Sequence, residues 1–188
     1  HHLKVIRKAL NLAVEWELLE KNPALGIKQF NADSRVERYL SEKELQRLLK
    51  VLETDSNRPV CHMILFLLAT GARLNEAISA TWMDIDLDNR VWVIQAKTSK
   101  SKKKRSVPLG DIAIDVLNKL GTRGKHDRLF ISKKTKQPLD HIGKVWQRIR
   151  KAADLQNFRL HDLRHSHASL LVNAGCTLYE VQQILGHA

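Results

Sequence analysis

Hydrophobic positions recur three or four apart along most of this chain, the spacing of helices that bury one stripe. Leu3, Ile6, Leu10, Ala13, Val14 and Leu18 follow it, so an amphipathic helix is expected over 3–19, closing before Asn22-Pro23. Ser41 and Glu44 form a capping-box pattern ahead of Leu45, Leu48, Leu49 and Leu52, which marks another helix start. Residues 59–69 are apolar on nearly every side and read as a central buried helix that stops at Gly71.

The period changes after Asp86. Asp88-Asn89 signals a turn, 91–95 is β-branched and aromatic, and 105–109 supplies a second strand across a Lys- and Ser-rich loop. Helical spacing resumes at 111–120, at 140–153 with Ile142, Val145, Trp146 and Ile149 inward, and at 161–172. Thr177 and Glu180 open a last short helix ending near Gly186. The fold expected is mainly α with a small antiparallel β-sheet, an α+β arrangement. Periodicity fades between Gly26 and Arg38, so the chain divides into an N-terminal helical piece at 1–30, a linker at 31–38 and a main domain at 39–188.

With 43% hydrophobic residues among 188, the main domain has material for a core, and global disorder is excluded. The longest apolar run, Met63 to Ala69, is far short of the roughly 20 residues a membrane span needs. No secretory leader pattern is visible and neither Cys61 nor Cys176 sits in a C-x-x-C pair, so an intracellular protein with reduced thiols is expected. A formal charge of +12 points to a polyanionic partner, and for such a protein that partner is nucleic acid. Six basic residues crowd nine positions in the loop, namely Lys97, Lys100, Lys102, Lys103, Lys104 and Arg105. Held at a hairpin tip they can contact phosphates; a solvated loop is the plainer alternative.

Three short motifs carry possible chemistry. Thr70-Gly71-Ala72-Arg73-Leu74-Asn75-Glu76 places Arg73 after the buried helix at a glycine-permitted turn, with Glu76 three residues on. His161-Asp162-Leu163-Arg164 puts an imidazole and a guanidinium on one helical face, where one moves a proton and the other grips a phosphate. His161 and His165 also stand four apart, as in a zinc-protease helix, but Arg164 would set a positive charge beside the metal. The third motif is Leu185-Gly186-His187.

Taken in order, T-G-x-R-x-x-E, a Lys-bearing hairpin, H-x-x-R and L-G-H resemble the tyrosine recombinase, or phage integrase, family of DNA strand-exchange enzymes. The similarity spans Tyr39 to the C-terminus, and residues 3–28 look like the last helix of that family's core-binding domain. The resemblance implies a site-specific recombinase or integrase that cuts and rejoins DNA through a 3′-phosphotyrosyl intermediate. It implies Arg73, His161, Arg164 and His187 as catalytic groups, Lys97 as the catalytic lysine with Lys100 in reserve, and Glu76 as the residue that orients Arg73. Lys100, Lys102, Lys103, Lys104 and Arg105 are expected to contact DNA. No metal and no cofactor is called for, the partner is double-stranded DNA, and the working form is a homo-oligomer on DNA, a tetramer in the full-length protein. A cytoplasmic, nucleoid-associated location follows for a bacterial or phage-encoded protein. The family's tyrosine comes shortly after L-G-H, whereas Tyr39 and Tyr179 stand elsewhere and the sequence ends at Ala188. The nucleophile is therefore expected to be missing, and the fragment to be inactive in cleavage. A non-catalytic DNA-binding regulator of the same fold is the alternative.

Overall fold

The computed structural model describes residues 2–28, 38–96 and 104–186. The chain separates into two compact units, His1–Val36 and Glu37–Ala188. The linker expected at 31–38 lies outside the described residues except for Arg38.

In the first unit α1 spans His2–Glu15. It is shorter than the expected helix because Glu17 takes a left-handed φ of 59°, which breaks the ladder. The turn that follows is tied to the helix by Arg7, whose Nε donates to the Ala24 carbonyl at 2.8 Å, and by Asn22, whose Nδ2 donates to the Arg7 carbonyl at 3.0 Å.

The second unit is built around α3 (Arg58–Thr70), which buries Val60, Met63, Ile64, Phe66 and Leu67 among its neighbours. Asn57 caps its start and Pro59 occupies the first turn, where a missing N–H costs nothing. Around it pack α2 (Glu42–Thr54), α4 (Leu74–Ser79), α5 (Asp111–Lys119) and α7 (Asp162–Asn173). Helix α2 carries the expected capping box between Ser41 and Glu44. A single turn at Trp82–Asp84 leads into an antiparallel sheet ordered β1 (Ile85–Asp86), β2 (Val91–Ile94), β3 (Arg105–Pro108). Val93 pairs with Ser106 and Ile94 with Arg105, so Trp92, Ile94 and Val107 face the core, where Trp92 lies 5.1 Å from the Phe66 ring.

Helix α6 (Gly143–Ala152) begins later than expected. Leu139 N–H donates to the Phe130 carbonyl at 3.0 Å and Ile131 bridges Pro138, so the chain stays extended up to Leu139 and cannot enter a helix at Asp140. Ile142, Trp146 and Ile149 are buried, whereas Val145 is half-buried. Helix α8 (Leu178–Leu185) opens on the Thr177–Glu180 capping box and closes at Gly186. No described helix is long and apolar enough to cross a membrane.

Candidate active site

The C-terminal end of α3, the start of α4, the start of α7 and the end of α8 meet around one guanidinium. Arg164, in the first turn of α7, is only 3% exposed. Its Nη1 donates to the Gly71 carbonyl at 2.8 Å and its Nη2 to the Leu185 carbonyl. Both acceptors are neutral, so these bonds orient the cation without cancelling its charge. Gly71 makes the junction possible, since it holds φ at 62° and a Cβ there would lie 2.5 Å from His167 Cδ2. His167 completes the contact through Nδ1, which donates to the Leu68 carbonyl at 2.9 Å.

Arg73 is the N-cap residue of α4. Its backbone N–H donates to Glu76 Oε2 at 2.8 Å and its Nη1 to Oε1 at 3.0 Å. Glu76, 1% exposed, also takes both terminal nitrogens of Arg105, Nη1 to Oε1 at 2.8 Å and Nη2 to Oε2 at 2.7 Å. Each carboxylate oxygen thus accepts twice, which fills its lone-pair positions. Burial pushes Glu76 up, but the bonds from Arg105 and Arg73 outweigh it and hold the carboxyl below its ordinary range. Among the described residues no acceptor engages Nε or Nη2 of Arg73, and these donors remain for a ligand.

Burial, and then the positive charges of Arg73 and Arg105, bring Arg164 down to about 10. Three guanidiniums therefore act on one another across a single carboxylate, and the cluster carries excess positive charge. Beside it Leu67, Ala72, Leu74, Leu160, His161 and Arg164 line a pocket of about 230 Å³. His161 sits at its rim as the N-cap residue of α7. Partial burial, with the charges of His165 and Arg164, lowers its proton affinity and favours the neutral, proton-accepting ring.

Arg105 is placed differently from the expectation of a solvated loop contact. It is the first residue of β3, its side chain is 8% exposed, and it turns inward because strand alternation puts it on the face of Val107. Lys104 is exposed at the strand's edge. Lys97, Lys100, Lys102, Lys103 and His187 lie outside the described residues. Tyr39 and Tyr179 are exposed, at 56% and 69%. The zinc alternative finds no ligand set: His161 and His165 stand edge to face, 5.5 Å between centroids, and no three His, Cys, Asp or Glu side chains gather among the described residues.

The sequence motifs give Asp162 no role of its own. It is fully buried and accepts from Arg159 at its backbone N–H, 2.7 Å, and at Nη2, 2.7 Å. The spacing is that of Arg73 and Glu76, an acid three residues after an arginine, but here the pair closes the turn that leads into α7 and fixes the segment bearing His161 and Arg164. The R-x-x-D spacing of Arg159 and Asp162 was the available signal.

Known proteins similar to this chain fall in one family. A profile of the phage integrase family matches residues 38–188. The integrase of Salmonella phage P22 is 32% identical over 199 residues, covering 98% of this chain and 49% of that protein. Tyrosine recombinase XerC of Bacillus subtilis (strain 168) is 28% identical over 204 residues, covering 99% of this chain and 65% of that protein. The chain thus spans about half to two thirds of the length of these relatives. Among solved structures, XerA recombinase aligns at TM-score 0.66 and 27% identity over 96% of this chain and 64% of that one. A lambda integrase dimer bound to a COC′ core site aligns at TM-score 0.77 and 21% identity over 98% of this chain and 70% of that one, which speaks for the fold. With the profile covering the whole second unit from Arg38 onward, the chain belongs to the phage integrase family.

Proposed function

We propose that this chain binds the scissile phosphate of a specific DNA site and activates it for transfer to a tyrosine, as part of a site-specific recombinase or integrase. The observation that carries the reading is the placement of Arg164: buried, bound among the described residues to carbonyls alone, and pressed by Arg73 and Arg105. An anion within reach of Arg73 and Arg164 would relieve that excess charge, and the nonbridging oxygens of a phosphodiester fit two guanidiniums from separate segments.

Attack on phosphorus builds negative charge on those oxygens, which Arg73 and Arg164 stabilise. His161, kept neutral, accepts the proton of the attacking hydroxyl. Lys97, or Lys100 in its place, supplies the proton to the leaving sugar oxygen, and His187 hydrogen-bonds the phosphate. Lys100, Lys102, Lys103 and Lys104 hold the duplex through its backbone. Residues 1–30 are read as the last helix of a core-binding domain and 31–38 as the linker to the catalytic domain. The protein works as a homo-oligomer on double-stranded DNA, a tetramer when complete, in the cytoplasm of a bacterial or phage-infected cell. The relatives support this reading by their names, and lambda integrase by its tetramer bound to a Holliday junction.

The test is covalent trapping on a nicked attachment site by the product of the complete reading frame. Trapping that disappears in Arg73→Ala and in Arg164→Ala supports the proposal; undiminished trapping in both overturns it.

A further inference from the structure

The role of Arg105 is not explained by phosphate contact, since three of its donors point inward. Two go to Glu76, and Nε donates to the Ile184 carbonyl at 3.3 Å, in the last turn of α8. The turn closes over the arginine's stem: Gly186 holds φ at 66°, and a Cβ there would lie 2.7 Å from Arg105 Cδ. One side chain therefore joins the strand that leaves the basic loop, the carboxylate that holds Arg73, and the turn that ends immediately before His187.

Charge makes this more than a structural tie. Glu76 offers one negative charge to two guanidiniums. While Arg105 occupies it from one side with both Nη atoms, Arg73 spends a single side-chain donor on it. Without Arg105, the buried carboxylate would keep Arg73 as the one described cation hydrogen-bonded to it, with the more distant Arg164 tied to the Gly71 and Leu185 carbonyls. A buried carboxylate draws in the cation available to it, so Arg73 would close on Glu76 with both nitrogens and its charge would be cancelled.

We propose that Arg105 is a positioning residue for phosphate binding: it neutralises Glu76 so that the Arg73 charge stays available to the ligand, and it anchors the α8 turn beside the same site. This inference rests on the reading of the Arg73–Arg164 cluster as a phosphate site.

The experiment titrates inorganic phosphate into the chain, following the side-chain N–H signals of Arg73 and Arg164 and the His161 ring by NMR. Arg105→Met is expected to weaken phosphate at these signals about tenfold, the scale of one lost charge-assisted contact. Adding Glu76→Gln to Arg105→Met removes the charge that had captured Arg73, and affinity is expected to return to within about threefold of the unaltered chain. A purely structural role predicts the opposite, with the double variant binding no better than the single. Arg105→Lys keeps the charge and carries the test if Arg105→Met does not fold. It is expected to bind within about threefold of the unaltered chain, and a loss beyond about tenfold overturns the charge argument. Unchanged affinity in Arg105→Met, or no recovery in the double variant, overturns the inference alone. Absence of phosphate-dependent shifts at Arg73 and Arg164 in the unaltered chain overturns the underlying reading, and the inference with it.

Discussion

Arg164 donates to the carbonyl of Gly71, a residue 93 positions earlier in the chain and two before Arg73. That bond brings the H-x-x-R segment to the T-G-x-R segment and fixes one guanidinium without placing a carboxylate in hydrogen-bond contact with it among the described residues. The nearby carboxylate, Glu76, is already filled by Arg73 and Arg105. A cation of this kind costs stability in the absence of a ligand, and an anion binding between the arginines would recover that cost.

Arg164→Met should accordingly separate stability from function. Two hydrogen bonds from a charged donor contribute roughly 1.5–3 kcal/mol each. Removing the buried, repelled charge that lowers Arg164 to about 10 returns a similar few kcal/mol. The expected outcome is a loss of no more than about 3 kcal/mol in unfolding free energy, together with loss of phosphate binding. Urea denaturation checks the first part, and a larger loss would show that Arg164 is held mainly as a structural tie.

Gly71→Ala should be costly by comparison. The left-handed φ of 62° disfavours any side chain, and the new Cβ would meet His167 Cδ2 at 2.5 Å and Leu185 Cδ2 at 2.6 Å. Strain and overpacking together are expected to cost about 2–4 kcal/mol. Gly26→Ala, with nothing within 4 Å of its Cβ, is the control and should be nearly neutral. Matching denaturation midpoints for the two variants would contradict the packing account.

Acid should destabilise the fold in two stages. Burial lowers the proton affinity of His62 and His167, so the unfolded chain binds more protons once the pH drops through the ordinary imidazole value of about 6.5. Stability from these groups is present above that value and falls below it. The carboxyls of Glu44, held at about 2 chiefly by Arg38, and of Glu76 are likewise depressed, and their contribution falls further below pH about 4. Thermal melts from pH 7.5 to 5 should decline, and His167→Gln should flatten the decline. A flat profile in the unaltered chain would contradict this.

Binding to duplex DNA should weaken steeply with salt. Each phosphate contact contributes about 0.9 to the slope of log affinity against log salt. Replacing Lys102, Lys103 and Lys104 together by Gln should lower that slope by up to about 3. Fluorescence anisotropy across a salt series measures it, and an unchanged slope would remove the basic loop from the DNA contacts.

The helical stripes, both capping boxes and the hairpin were legible in the sequence because each depends on neighbours a few positions away. The start of α6 was not, because a long-range bond from Leu139 to Phe130 overrides local propensity. Arg73, Glu76, His161 and Arg164 could be picked out because each lies in a short motif at a helix start. Arg105 could not be told from its basic neighbours by composition. Only its alternation with the buried Val107 along β3 marks it as facing inward. The ties from Arg164 to the Gly71 and Leu185 carbonyls join segments remote in the chain, and no local pattern announces them.

The convergence of Arg73 and Arg164 on one phosphate is tested most directly by a crystal structure of the chain soaked in tungstate, a phosphate mimic located by its anomalous signal. The expected result is a tungsten peak between the two guanidiniums, with tungstate oxygens about 3 Å from nitrogens of both and His161 at its edge. A peak bound by one arginine alone, or the two guanidiniums facing separate surfaces with no peak between them, would contradict it.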